Sequence, residues 1–235
     1  MPGSQARRIC LVLSLFAVLL LLGGPPQARA AEPATIVPLL DDVLASVDAY
    51  WQETNAAAGR PAPSVRHVWV VPGGQIDTAC GVPAADAAAF YCAADDTIYV
   101  GQAFASALYN GVVAALPGQR AGFGRAAGDF AVAYVVAHEY AHNVQEENGI
   151  LAGRTRALPT ELDADCLAGT WARWADAQGR LDSGDVQEAL DAALAVGDFD
   201  FLSPQHHGTP PERRDALLTG LRSGRPPACD RYLLR

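Results

Sequence analysis

The stretch Asp129–Asn148, DFAVAYVVAHEYAHNVQEEN, decides how the rest of the chain is read. Its apolar residues recur at helical spacing through Ala133 and Val136, Asp129 can cap its start, and Gly149 stands where a left-handed residue ends a helix. Inside it lies His138-Glu139-Tyr140-Ala141-His142. Residues four apart sit one above the other on a helix face, so the two imidazoles can converge on a single ion. Glu139, one position on from His138, projects beside that ion, where a carboxylate can take a proton from a zinc-activated water.

A catalytic zinc site needs a third protein ligand and an open position. A third histidine would stand six residues after His142, but that position is Asn148, and the chain has no methionine beyond Met1 to form a Met-turn. Glu146 shares the histidine stripe, yet at about 1.5 Å rise per residue it lies roughly 12 Å along the axis from His138. The third ligand must therefore come from another helix. Pro159 and Thr160 open one that continues to Gln178, and its first turns read Glu161-Leu162-Asp163-Ala164-Asp165-Cys166. Glu161 and Asp165 are i and i+4 and can both face the histidine helix. Glu161 is assigned to the ion, and Asp165 is expected to accept the second ring N–H of His138 or His142. Asp163 points elsewhere on this reading, so its removal should do little. Ala137, Ala141, Ala164 and Ala168 are small enough to let the two helices approach closely.

Outward from this pair, apolar residues at helical spacing from Ile36 to Trp51 predict a helix over residues 36–58, ended by Gly59, Pro61 and Pro63. The β-branched runs Val65–Val71 and Thr97–Val100 predict a small antiparallel sheet in the middle of the chain. Further helices are expected over Gln102–Leu116, over Asp185–Val196, and from the capping box Thr209-Pro210-Pro211-Glu212 to Gly224. The fold class is α+β, a small antiparallel sheet with a predominantly helical half that carries the zinc. His67, on a strand, reads as a packed or surface residue.

Residues 1–30 read as a secretory leader: Arg7-Arg8, an apolar run from Ile9 to Leu22, a Gly-Pro break, and Ala28-Arg29-Ala30 before a mature start near Ala31. The rival, a retained membrane anchor, is weaker because the run falls short of the roughly 20 residues that span a bilayer. Residues 31–235 then form one domain. Losing Arg7, Arg8 and Arg29 takes the net charge of −9 further negative. This argues against nucleic acid or anionic membrane as partner. Four cysteines remain, Cys80, Cys92, Cys166 and Cys229, an even number that fits two disulfides in an exported protein; a structural zinc site would want closer spacing.

Several of these motifs together resemble the bacterial neutral zinc metallopeptidases, related to the gluzincins. The resemblance runs from about Cys80 to Cys229 and rests on Cys80-Gly81, Phe90-Tyr91-Cys92, His138–His142 with Val144-Gln145, ELDADCLAG over Glu161–Gly169, His207-Gly208-Thr209 with Arg213, and Cys229-Asp230. Ala141 and Asn143 depart from the family's usual Gly and His, and neither is a ligand. The resemblance implies that His207 and Arg213 face the zinc and help bind substrate or its oxyanion, whereas His206 reads as a solvated loop histidine. It also retains Cys80 and Cys92, a short closure between neighbouring strands. With Cys80 paired to Cys92, Cys166 pairs with Cys229 and pins the tail against the ligand helix. The implied activity is hydrolysis of a peptide or protein substrate by an exported enzyme, with Zn2+ as cofactor and Glu139 as general base. Two rival readings are a non-catalytic exported module that keeps zinc as a brace, which has no use for Glu139, and a metal hydrolase acting on something other than peptides.

Overall fold

The computed structural model describes residues 33–111 and 128–234. The leader, and the part of the Gln102–Leu116 helix beyond residue 111, lie outside them.

The fold is α+β. Helix α1 (Pro33–Ala57) buries the stripe Ile36, Leu40, Val43, Val47 and Trp51 at the spacing the sequence shows. Five short strands follow: β1 (Arg66–Val70), β2 (Gln75–Ile76), β3 (Ala84–Ala85), β4 (Ala89–Cys92) and β5 (Thr97–Gly101). They form a three-stranded sheet in the order β1-β5-β4 and a separate β2-β3 pair. The main sheet is mixed, not antiparallel as expected: β1 runs parallel to β5, with Arg66 beside Thr97, and β4 runs antiparallel to it. The reason is the long segment 71–96, which is ample for the crossover that a parallel pair requires. His67 is exposed on β1, its ring against Trp69.

The second half is helical: α2 (Gln102–Tyr109), α3 (Asp129–Glu147), α4 (Leu158–Ala177), α5 (Asp185–Ala195) and α6 (Pro210–Ser223). Helix α3 is buried from Phe130 to Ala141 because α1, α4, α5 and the sheet surround it. Asp129 does not cap it. The cap residue is Gly128, and Glu188 of α5 accepts from the Phe130 backbone N–H at 3.1 Å. The Thr209–Glu212 capping box is present in full, with Gly224 in the left-handed conformation at the far end of α6.

What positions the site is the packing of α6 and α3 on the two sides of α4. Gly169 and Gly220 bring α4 and α6 into backbone contact: a Cβ on Gly220 would lie 1.8 Å from the Cys166 carbonyl oxygen, and one on Gly169 would lie 2.2 Å from that of Leu217. The anticipated Ala137, Ala141, Ala164 and Ala168 are all buried. Both disulfides form as expected, Cys80–Cys92 and Cys166–Cys229, and the second ties the tail after α6 to α4. No helix among the described residues is long and apolar enough to cross a membrane.

Candidate metal centre

Helix α3 presents His138 and His142 from successive turns, and the first turn of α4 brings Glu161 against them. His138 Nε2 lies 3.2 Å from His142 Nε2 and 3.2 Å from Glu161 Oε2, and His142 Nε2 lies 3.4 Å from Glu161 Oε1. A tetrahedral zinc with bonds of about 2.0–2.1 Å requires neighbouring donors about 3.3 Å apart, the tetrahedral edge. The two imidazole nitrogens and the Glu161 carboxylate, whose oxygens each approach one of them, therefore have the spacing and the two-nitrogen, one-carboxylate chemistry of a catalytic zinc site. A second carboxylate group, Asp129, Asp185 and Glu188, lies where α3 meets α5. It contains no nitrogen donor and does not resemble a zinc site.

Beneath His138 is a charged layer. Its Nδ1 donates to Asp165 Oδ1 at 2.9 Å, as the i, i+4 argument anticipated. Asp165 also accepts from Tyr134 at 2.6 Å and from Arg213 through Nε at 2.8 Å and Nη2 at 2.9 Å. Burial disfavours the His138 imidazolium, but Asp165 and then Glu161 outweigh it and hold the pKa up at about 10. Burial likewise opposes the Glu161 carboxylate, and the two imidazoles reverse that and hold its pKa well below the usual range. For Asp165 burial is overcome first by Arg213 and then by His138. Such a site is built to stabilise positive charge among these donors, and an ion entering it displaces protons.

Arg213 lines the floor of the cleft, with its Nη2 3.3 Å from His138 Nε2. It comes from the first turns of α6, is buried, and spends its fork on Asp165, with Nη1 on the Val196 carbonyl at 3.4 Å. It touches the floor of the site, 3.5 Å from Glu161 Oε2, as a support. His206 departs from its expectation. It is buried, not solvated, and its Nδ1 bonds to Asp198 Oδ1. The other Asp198 oxygen takes the His207 backbone N–H at 2.8 Å and its Nδ1 at 3.1 Å.

Asp163 is joined to the site indirectly, through Gln145. It is buried, burial raises its pKa to about 6, and it accepts from Gln145, which in turn meets His142 Nδ1. Glu139 is held by the Tyr91 backbone N–H, which donates to its Oε2 at 2.9 Å. Above these residues opens a cleft of about 500 Å³, lined by Phe90, Tyr91, Phe104, Val135, Val196 and His207 around the histidine and glutamate side chains.

A family model described as "Putative neutral zinc metallopeptidase" matches residues 25–232. The chain belongs to that family. The match reaches well before Cys80, so α1 and β1 are part of this neutral zinc metallopeptidase unit and not an unrelated extension. Among its relatives is an uncharacterized protein of Mycobacterium tuberculosis, Rv2575, 33% identical over 216 residues that cover 80% of this chain and 67% of the relative. The uncharacterized protein YpfJ of Escherichia coli is 31% identical over an alignment of 242 residues, 90% of this chain and 79% of the relative. No solved structure matches. Membership makes zinc the ion implied for His138, His142 and Glu161.

Sequence reasoning missed Tyr134, Gln145 and Asp198. Tyr134 carried a signal, since it stands four residues before His138 on the same stripe. So did Gln145, three residues after His142. Asp198 had none, because it reaches the site from an irregular segment between α5 and α6.

Proposed function

We propose that this chain is an exported zinc metallopeptidase that hydrolyses peptide bonds, with zinc held by His138, His142 and Glu161. The observation that carries the reading is the convergence of His138 Nε2, His142 Nε2 and the Glu161 carboxylate, with the two nitrogens 3.2 Å apart and each within 3.4 Å of a carboxylate oxygen. Zinc held there would supply Lewis acidity, lowering the pKa of a water and polarising a scissile carbonyl. Glu139, fixed by Tyr91 at the edge of the cleft, accepts the proton from that water and passes it to the leaving amine. His207 extends into the cleft with Nδ1 on Asp198, so its Nε2 faces substrate. To donate to the oxyanion from Nε2 it must carry both ring protons. Arg213 keeps Asp165, and through it His138, in position.

A peptide substrate is supported by β4. This strand is the edge of its sheet, and its pairing with β5 alternates so that Ala89 and Tyr91 turn their backbone groups away from β5, the side on which Tyr91 meets Glu139. An extended peptide can add alongside such an edge. Export rests on the leader read in residues 1–30 together with two disulfides, which persist in oxidising compartments.

The test is a pair of variants of the purified mature chain. Glu139→Gln should retain about one zinc and lose nearly all peptide hydrolysis, whereas Glu161→Ala should lose the zinc itself. A Glu139→Gln protein that cleaves a peptide library at the wild-type rate would refute Glu139 as the general base, whereas a zinc-loaded wild-type chain that cleaves no peptide would favour the reading of zinc as a brace.

A further inference from the structure

Gln145 is fully buried one turn beyond His142, and both ends of its amide are engaged. Its Nε2 donates to the Thr160 carbonyl at 2.8 Å and to Asp163 Oδ2 at 2.7 Å. A carbonyl oxygen can only accept, so Thr160 fixes which end of the amide is nitrogen. The other end, Oε1, then faces His142 Nδ1 at 2.8 Å. Because an amide oxygen also only accepts, Nδ1 carries the ring proton. The lone pair of His142 is left on Nε2, the atom that lies beside His138 Nε2 and Glu161.

From this we infer that Gln145 and Asp163 form a positioning relay that sets the tautomer and orientation of His142, and through them the affinity for the metal. Asp163 touches no ligand and acts through two successive hydrogen bonds. The inference rests on the reading of His142 as a zinc ligand given under the proposed function. It explains how a buried carboxylate two residues from Glu161 is joined to the site without touching the ion's ligands. The side chain of Gln145 leaves α3 and crosses to α4, bonding Thr160 and Asp163 on either side of Glu161. The two histidines thus have unlike supports. His138 leans on the charged Asp165–Arg213 pair, whereas His142 leans on a neutral amide whose own direction is fixed from α4.

The experiment is an exchange of groups in the full mature chain, with zinc affinity read by competition against a chelator of known affinity. Gln145→Glu keeps the acceptor for His142 but sets a carboxylate against the Asp163 carboxylate with no donor between them. It should weaken zinc about 10 to 100-fold, as removal of ligand-orienting partners does. Adding Asp163→Asn to it restores one donor and one acceptor with the polarity reversed, and should recover most of the lost affinity. Gln145→Met, similar in length but without the acceptor, should show the same loss and no recovery when Asp163→Asn is added. A merely structural role for Gln145 would not produce recovery specific to the exchanged pair.

If the exchanged pair binds zinc no better than Gln145→Glu alone, or if Gln145→Met binds like wild type, the relay is refuted. Should Gln145→Glu fail to fold, recovery of a folded, zinc-binding chain by the second substitution is the same rescue. If neither is recovered, the loss in Gln145→Met decides. Failure of the wild-type chain to bind zinc would instead overturn the proposed function, so the two outcomes are separable.

Discussion

Replacing Arg213 with Met removes the guanidinium that holds Asp165 through Nε at 2.8 Å and Nη2 at 2.9 Å. Asp165 is fully buried and Arg213 nearly so, so no water replaces the lost bonds. Breaking a buried pair by deleting one partner costs about 3–5 kcal/mol, because the remaining charge is stranded. For a domain of this size each kcal/mol corresponds to about 2–4 °C, so Arg213→Met should lower the melting temperature by roughly 6–20 °C. Thermal melts at pH 7 with a chelator present read this without any contribution from metal. Adding Asp165→Asn removes the stranded charge and should return part of the loss, giving a non-additive cycle. The contrary result is an Arg213→Met protein that melts within about 2 °C of wild type, less than the effect of 1 kcal/mol, yet no longer hydrolyses peptide. That would mean the guanidinium acts on substrate, as the family resemblance implied, and not on Asp165.

Two further perturbations test other parts of the account. Cys166→Ser with Cys229→Ser opens a closure of 63 residues; the loop-entropy relation gives about 4 kcal/mol, and melting temperature and activity should fall together because the bond ties the tail beyond α6 to the helix that bears Glu161. Free thiols at both positions in exported wild-type protein would contradict this. Asp198 provides the pH test. Burial pushes its pKa up, but the His207 backbone N–H and the His206 ring outweigh that and bring it down to about 2. Since this is below the ordinary carboxylate value of about 3.9, its stabilising contribution is complete above that pH and disappears as pH falls towards 2. With chelator present, the stability gap between wild type and Asp198→Asn should therefore close between about pH 4 and pH 2, and a gap that persists at pH 2 would refute the role.

Features governed by spacing within one element were legible in the sequence. The i, i+4 placement of His138 with His142, and of Glu161 with Asp165, follows from helix geometry alone, and the Thr209–Glu212 capping box is a local exchange of hydrogen bonds. Features governed by which elements meet were not. The parallel pairing of β1 with β5 depends on how residues 71–96 cross over, and the four residues of β4 are too few to announce a strand. The rule that residues two apart on a helix face different ways holds for Asp163, yet it led to the wrong expectation. It describes α4 alone, whereas Gln145 reaches across from α3 to meet Asp163. His206 was misjudged for the same reason, since the carboxylate that holds it, Asp198, lies on another segment.

The most direct test of the central claim is diffraction from crystals of the zinc-loaded chain, with anomalous differences measured on both sides of the zinc absorption edge. One strong zinc peak per chain is expected, bonded at about 2.0–2.2 Å to Nε2 of His138, Nε2 of His142 and a carboxylate oxygen of Glu161, with Glu139 beside the ion and not bonded to it. A zinc peak on Asp129, Asp185 and Glu188 with none between the two histidines, or Glu139 in place of Glu161 as the ligand, would contradict it.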